Sequence, residues 1–257
     1  MEKMVWNAAT YSQFKNERMQ PPMDLVTRLS HREFDRIIDI GCGSGMSTIP
    51  IRAMWPKAKI IGIDRSEEML KAAHEIGIDV QWITHDCNNR IENLGTFDLV
   101  FSNAFLQWID NQEEFLKNIK DLVAKGGILA MQIPDFDAMP VKTCIDSVAS
   151  QYKDRFSDIS ATQCHNENVE TYYNILNRYY QNVQIWETGY CHIMEHHKAI
   201  VDFIASTALR PYISRLDEKE IKIFENAVLA EIKKYYQIQE NNKVLFEFKR
   251  IFFIAER

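Results

Sequence analysis

The chain has 257 residues, 46% of them apolar and 26% charged, with only 9 Gly and 7 Pro; this composition suits one globular domain and excludes a disordered chain. It holds no apolar run of about 18 residues and no apolar leader at its start, so the expectation is a cytoplasmic protein with no membrane span. The net charge of −6 speaks against a nucleic-acid partner, which needs a clustered basic face, yet leaves room for a basic pocket that takes a small anion.

In chain order, the first half alternates between strand and helix. Arg36–Ile40 is a short apolar run that ends at glycines, and Lys59–Ile63 is another, stopped by Asp64. Val80–Ile83 is a weaker third run, Phe97–Phe101 a fourth and Ile128–Ile133 a fifth. Near-continuous apolar runs of this kind suit parallel strands buried on both faces. Between the second and third runs, Ser66 is placed to cap a helix that starts with Glu67 and Glu68. Met69, Ala72, Ala73 and Ile76 supply its apolar stripe. Phe115, Ile119 and Leu122 do the same for the next helix, with Gly126 as its stop. Strand–helix repetition predicts a parallel sheet with right-handed crossovers. In the second half, Val183–Tyr190 and Val244–Ala255 read as extended. Between them lie a helix over His196–Ala208 and a second one on Ile221, Phe224, Val228, Ile232 and Tyr235. These predict a helical insertion over residues 195–243, on the carboxyl edge of the sheet where open α/β sheets take ligands.

The most informative segment is Asp39-Ile40-Gly41-Cys42-Gly43-Ser44-Gly45, directly after the first strand. Its glycines let the backbone turn sharply and approach a ligand, and the helix that follows adds free N–H groups and partial positive charge. Asp64 ends the second strand, where a carboxylate can grip ribose hydroxyls. A dinucleotide site uses the same geometry but wants Gly or Ala where Met46 stands, so an NAD-dependent reductase is disfavoured. The five cysteines (Cys42, Cys87, Cys144, Cys164, Cys191) form no C-x-x-C pair and read as reduced thiols. His192 and the Glu195-His196-His197 run lack a matching third ligand, so no metal site is expected.

As a set, the Asp39–Gly45 loop, Asp64, Asp86 after the third strand and Lys125-Gly126-Gly127 before the fifth resemble class I S-adenosylmethionine-dependent methyltransferases over residues 34–133. The resemblance implies an α/β fold: a Rossmann-like seven-stranded sheet, mostly parallel with its last strand antiparallel. It also implies roles. The Gly41–Gly45 loop, with Cys42 and Gly43, would hold the methionine end of the cofactor, and Asp39 its amino group. Asp64 would take the ribose hydroxyls, Asp86 with Cys87 would face the adenine, and Arg65 and Asn103 would join the cofactor set.

A closer likeness runs the full length. Trp6-Asn7-Ala8-Ala9-Thr10-Tyr11, Glu17-Arg18, Ser102-Asn103-Ala104-Phe105-Leu106-Gln107-Trp108, Gly189-Tyr190-Cys191-His192 and Leu209-Arg210-Pro211-Tyr212 resemble the trans-aconitate methyltransferase family. That family forms a monomethyl ester on a small tricarboxylic acid. The residues agree with a carboxylate acceptor, because a carboxylate is already ionised at neutral pH and needs no general base. Catalysis then reduces to positioning and desolvation. Gln107 and Trp108 are neutral donors suited to orienting the acceptor oxygen. Tyr11, Arg18, Tyr190, His192, Arg210 and Arg250 are the candidates for the remaining carboxylates, the arginines because guanidinium meets carboxylate in a two-pronged way.

The reading is therefore a single domain over residues 1–257. Residues 1–30 form a lid, 34–133 bind the cofactor, and the 195–243 insertion faces the substrate. The chain is taken as a monomer that acts on a small carboxylic acid with S-adenosylmethionine, apart from membranes and nucleic acid. Methylation of another carboxylate, such as malonyl-acyl carrier protein, and a non-catalytic cofactor-binding protein are the alternatives.

Overall fold

The computed structural model describes residues 14–257, apart from 92, 158, 160–165 and 206. The strands are β1 (Arg36–Ile40), β2 (Lys59–Asp64), β3 (Gln81–Thr84), β4 (Phe97–Asn103), β5 (Val123–Pro134), β6 (Gln181–Met194) and β7 (Val244–Glu256). The α-helices, in chain order, are α1 (Lys15–Arg28), α2 (Thr48–Met54), α3 (Glu67–Glu75), α4 (Gln112–Ile119), α5 (Pro140–Ala149), α6 (Lys153–Phe156), α7 (Val169–Tyr179), α8 (His197–Ala205), α9 (Arg210–Ile213) and α10 (Glu218–Tyr235). The sheet runs β3-β2-β1-β4-β5-β7-β6. β1 pairs in parallel with β2 and β4, β2 with β3, and β4 with β5. β7 is antiparallel to β5. The Gly126 N–H donates to the Arg257 carbonyl (2.7 Å) and the Arg257 N–H returns to Gly127 (3.0 Å), while at the other end the Asp135 N–H reaches Lys249 (2.9 Å). The sheet is thus the mixed seven-stranded one expected, and the described residues between β6 and β7 include three helices.

By its contacts the chain divides into two compact units. The first, the glycine-loop unit, comprises Arg18–Pro134, Glu167–Thr188 and Ile251–Arg257. Its core follows from the apolar runs: Ile38, Ile40, Ile63, Val100, Leu129 and Met131 are buried on adjacent strands, with Phe115, Leu116 and Ile119 of α4 and Tyr172, Ile175 and Leu176 of α7. Burying each large apolar side chain contributes about 1.5–3 kcal/mol before entropy is counted. The second, the aromatic unit, comprises Asp135–Asn166 and Gly189–Arg250 with the described residues before Arg18. Its core is built from α5, α8 and α10 with Phe246 and Phe248 of β7.

Several expectations shift in detail. Ser66 caps α3, its Oγ accepting the Met69 N–H at 3.3 Å, but the buried face holds Leu70 and Ala73, one residue round from the stripe centred on Met69. Gly126 does not stop a helix: α4 ends at Ile119, the turn Lys120–Leu122 follows, and Gly126 lies inside β5 with φ +74°. A glycine there serves a local irregularity in the strand, whose register with β4 shifts between Phe97 and Leu99. α5 is absent from the reading above although its signal is present: Pro140 at the first turn, then Val141, Cys144, Ile145 and Val148, all buried.

Candidate active site

Within the glycine-loop unit the chemistry gathers at the carboxyl ends of β1, β2 and β4. Gly41, Gly43 and Gly45 all have positive φ (+70°, +53°, +78°), a conformation that costs other residues about 1–2 kcal/mol each. The loop is tied to β2 because the Ile63 carbonyl accepts the N–H groups of Gly41 (2.8 Å) and Cys42 (3.0 Å). Asp64 completes the tie: its Oδ2 accepts the Gly43 N–H at 2.9 Å and its Oδ1 the Ser66 N–H at 2.8 Å. Two glycines also make room for aromatic rings. A Cβ on Gly45 would lie 2.9 Å from Trp82 Cη2, and one on Gly41 would lie 2.6 Å from Phe105 Cβ and overlap the ring. Neither Phe105 nor Trp82 carries a site role in the sequence, because nothing in sequence spacing shows which ring a missing Cβ accommodates.

Asp39 is fully buried beneath this loop. Ser47 and Thr48, at the start of α2, donate their hydroxyls to its Oδ2 at 3.0 and 2.6 Å. Its Oδ1 has no hydrogen-bond partner among the described residues. Burial pushes the carboxyl up to about 7, with the charge of Asp64 adding to it against the lowering effect of the two hydroxyls. An unpartnered buried carboxylate oxygen is costly unless something meets it. Two further buried acceptors share this condition, Asn103 Oδ1 at the end of β4 and Gln107 Oε1 in the turn that follows.

That turn is tightly specified. Ala104 takes φ +54°, its N–H donates to the Gln132 carbonyl (2.8 Å), and Gln107 Nε2 donates to its carbonyl at 2.7 Å. One amide hydrogen of Gln107 is therefore engaged and one is left for another acceptor. Trp108 is half-buried. Asp86 is exposed and accepts the Asn88 N–H in a local turn (3.0 Å). Arg65 is exposed. Cys87 is buried, and burial pushes its thiol up to about 12; Cys42 is raised further for the same reason. Both stay protonated near neutral pH, so neither acts as a thiolate nucleophile.

The remaining candidates divide between the two units. Tyr190, His192 and Arg250 come together in the aromatic unit. Tyr190 and His192 lie one above the other on β6, rings nearly parallel with centroids 6.3 Å apart. His192 faces Phe203 (5.5 Å) and Phe248 (6.0 Å), and the Arg250 guanidinium lies 4.7 Å from the Phe248 ring. All three are buried. Arg210 is exposed at the first residue of α9. Arg18 is half-buried on α1, in the glycine-loop unit. Tyr11 lies outside the described residues. His196 and His197 have backbone roles: Nδ1 of His196 accepts the Ala199 N–H (3.1 Å), and Nε2 of His197 lies 2.7 Å from the Tyr236 carbonyl. No group of three potential metal ligands occurs among the described residues. Nor is any described helix long and apolar enough to cross a membrane.

These features coincide with a family. A model of the methyltransferase domain matches residues 31–243, and the chain belongs to the S-adenosylmethionine-dependent methyltransferases, whose cofactor it uses. Among its relatives is the trans-aconitate 2-methyltransferase of Escherichia coli O157:H7, 35% identical over 254 residues that span 98% of each chain. The enzyme of the same name from Shigella flexneri is 34% identical over the same extent. Solved structures share the fold at lower identity. YcgJ of Bacillus subtilis has a TM-score of 0.60 at 14% identity, covering 93% of this chain and 98% of its own. The plantazolicin methyltransferase BpumL, solved with S-adenosylhomocysteine, has a TM-score of 0.56 at 17% identity, covering 96% and 89%.

Proposed function

We propose that this enzyme esterifies one carboxylate of a small polycarboxylic acid, of the kind named for its trans-aconitate 2-methyltransferase relatives. The observation that carries this reading is the composition of the turn after β4. Asn103, Ala104, Phe105, Leu106, Gln107 and Trp108 include no ionisable side chain. An amine or phenol acceptor would call for a base; a carboxylate arrives ionised and needs only neutral donors to hold it. Neutral donors also leave the nucleophilicity of the attacking oxygen intact, which a tight ion pair would blunt.

The residues present fit the cofactor. Asp39 Oδ1, Asn103 Oδ1 and Gln107 Oε1 are buried acceptors in want of N–H donors, and an α-ammonium brings three. The positive-φ loop Gly41–Gly45, with Cys42, would cradle the methionine portion. Asp64, with Arg65 beside it, would serve the ribose hydroxyls, and Asp86 and Cys87 the adenine. When bound, the cofactor supplies an electrophilic methyl group on a sulfonium sulfur. Gln107 and Trp108 would hold the acceptor oxygen in line with that methyl, and exclusion of water would do the rest. Arg250, buried in the aromatic unit with its guanidinium on the Phe248 ring, is kept as a candidate for carboxylate binding, with Tyr190 and His192. Arg18, Arg210 and Tyr11 complete the candidate set. A monomer working in the cytoplasm is the setting this reading assumes.

Steady-state kinetics with S-adenosylmethionine and a panel of di- and tricarboxylic acids, malonyl-acyl carrier protein included, tests the proposal. The expected result is the highest kcat/KM on a tricarboxylate such as trans-aconitate, with a product one methyl group heavier. Faster turnover on the malonyl thioester would move the enzyme to the carrier-protein alternative. Cofactor binding without turnover on any acid would reject the carboxylate reading.

A further inference from the structure

The glycine loop and the turn after β4 are joined by one side chain. Ala104 sits at φ +54°, a conformation that few non-glycine residues adopt. It is held there by its N–H on the Gln132 carbonyl and by Gln107 Nε2 on its own carbonyl. Beyond this kink the ring of the next residue, Phe105, occupies the space that a Cβ on Gly41, the first residue after β1, would need. Phe115 of α4 supports the ring from behind, with centroids 5.9 Å apart. Phe105 is thus in contact with the first glycine of the loop while its carbonyl accepts the Trp108 N–H at 2.9 Å, closing the turn that carries Gln107 and Trp108.

Backbone strain that the surroundings over-determine is characteristic of functional sites. The geometry points to Phe105 as a positioning residue: its ring is a spacer that fixes the distance between the loop on the methyl-donor side and the turn on the acceptor side. This rests on the reading given above, in which the loop holds the cofactor and the turn faces the acceptor. Methyl transfer in line is steep in distance, and misplacement by about 1 Å costs about 100-fold in rate. A spacer of fixed shape therefore controls turnover more than it controls acceptor binding.

A double-mutant cycle on Gly41→Ala and Phe105→Ala, read by calorimetric titration with S-adenosylhomocysteine and by kinetics, tests this. Gly41→Ala alone is expected to weaken binding about 100-fold, through backbone strain plus overlap with the ring. Phe105→Ala alone is expected to lower kcat at least tenfold while KM for the acid changes less than threefold. The double variant is expected to bind severalfold more tightly than Gly41→Ala alone, since the ring that the new methyl strikes is gone. Binding losses that simply multiply would overturn the spacer, as would a wild-type kcat in Phe105→Ala. Should the double variant fail to fold, Phe105→Leu decides. Its kcat is expected to fall at least fivefold with the melting temperature near wild type, and a kcat within twofold of wild type overturns the proposal. A wild-type chain that binds no S-adenosylhomocysteine would instead remove the cofactor reading, and the spacer with it. A wild type that binds, with losses that multiply, removes the spacer alone.

Discussion

The two units specify their functional residues by different means. In the glycine-loop unit the site is mostly backbone: three positive-φ glycines, N–H groups directed to Ile63 and Asp64, and a buried carboxylate clasped by the first residues of a helix. In the aromatic unit the candidates are held by rings: His192 among Phe203, Phe246 and Phe248, with Arg250 on Phe248. A backbone site tolerates few residue types, because only glycine enters those conformations cheaply. A ring-packed site tolerates many that keep volume and shape. Under the proposed function, the first unit would hold the cofactor with few permitted residue types, and the second would offer side chains that can be exchanged for a different acid.

Four experiments sharpen or break this contrast. The largest effect is expected from Phe248→Ala, which removes a buried ring from the centre of the aromatic unit and should cost about 3–5 kcal/mol. Chemical denaturation followed by near-UV circular dichroism reads it. Affinity for S-adenosylhomocysteine should stay within threefold of wild type, because the residues proposed to hold the cofactor belong to the other unit; a parallel collapse of affinity would end the proposed division of labour.

Next comes Gly41→Ala, expected to weaken cofactor binding by about 100-fold and leave the denaturation midpoint of the aromatic unit unchanged. Equal weakening from a conservative change in the aromatic unit would contradict it.

The third concerns pH. Asp39 is raised to about 7 in the folded protein against 3.8 for the free residue, so the folded chain binds the extra proton. Without cofactor, stability therefore falls as pH rises from about 4 to 7. A cationic ammonium at Oδ1 favours the ionised form, so binding should weaken about tenfold per pH unit below 7 and level off above it. Asp39→Asn should flatten the profile; a slope that survives in this variant would relieve Asp39 of the role.

The smallest effects are expected from the helix caps Ser66→Ala in one unit and Asp217→Ala in the other, each about 1 kcal/mol by thermal melting. Caps act locally, so the two should match; a several-fold difference would mean that one cap also supports a site.

How much of this was legible follows the same division. β1, β2, β4 and the loop after β1 could be read directly, since parallel strands buried on both faces leave unbroken apolar runs and positive φ leaves glycines. So could the placement of Asp39 and Asp64 at or near the ends of their strands; β4, however, runs on to Asn103 where the apolar run stops at Phe101. Side-chain partners could not. Nothing in the spacing links Gly41 to Phe105, Gly45 to Trp82, or Asp39 to Ser47 and Thr48. Arg210 and Arg250 looked alike as cations, yet one is exposed and the other buried on a ring, a difference made by tertiary packing alone. α5 is a different case, with a complete helical pattern of buried residues in its own sequence.

The measurement that tests the central claim most directly is transfer of a ¹³C-labelled methyl group from S-adenosylmethionine to trans-aconitate, followed by NMR of the product. The account predicts a single labelled ester methoxy resonance, released as labelled methanol by mild base. Label on carbon, nitrogen or sulfur, or no labelled product with this or any other polycarboxylic acid, would contradict it.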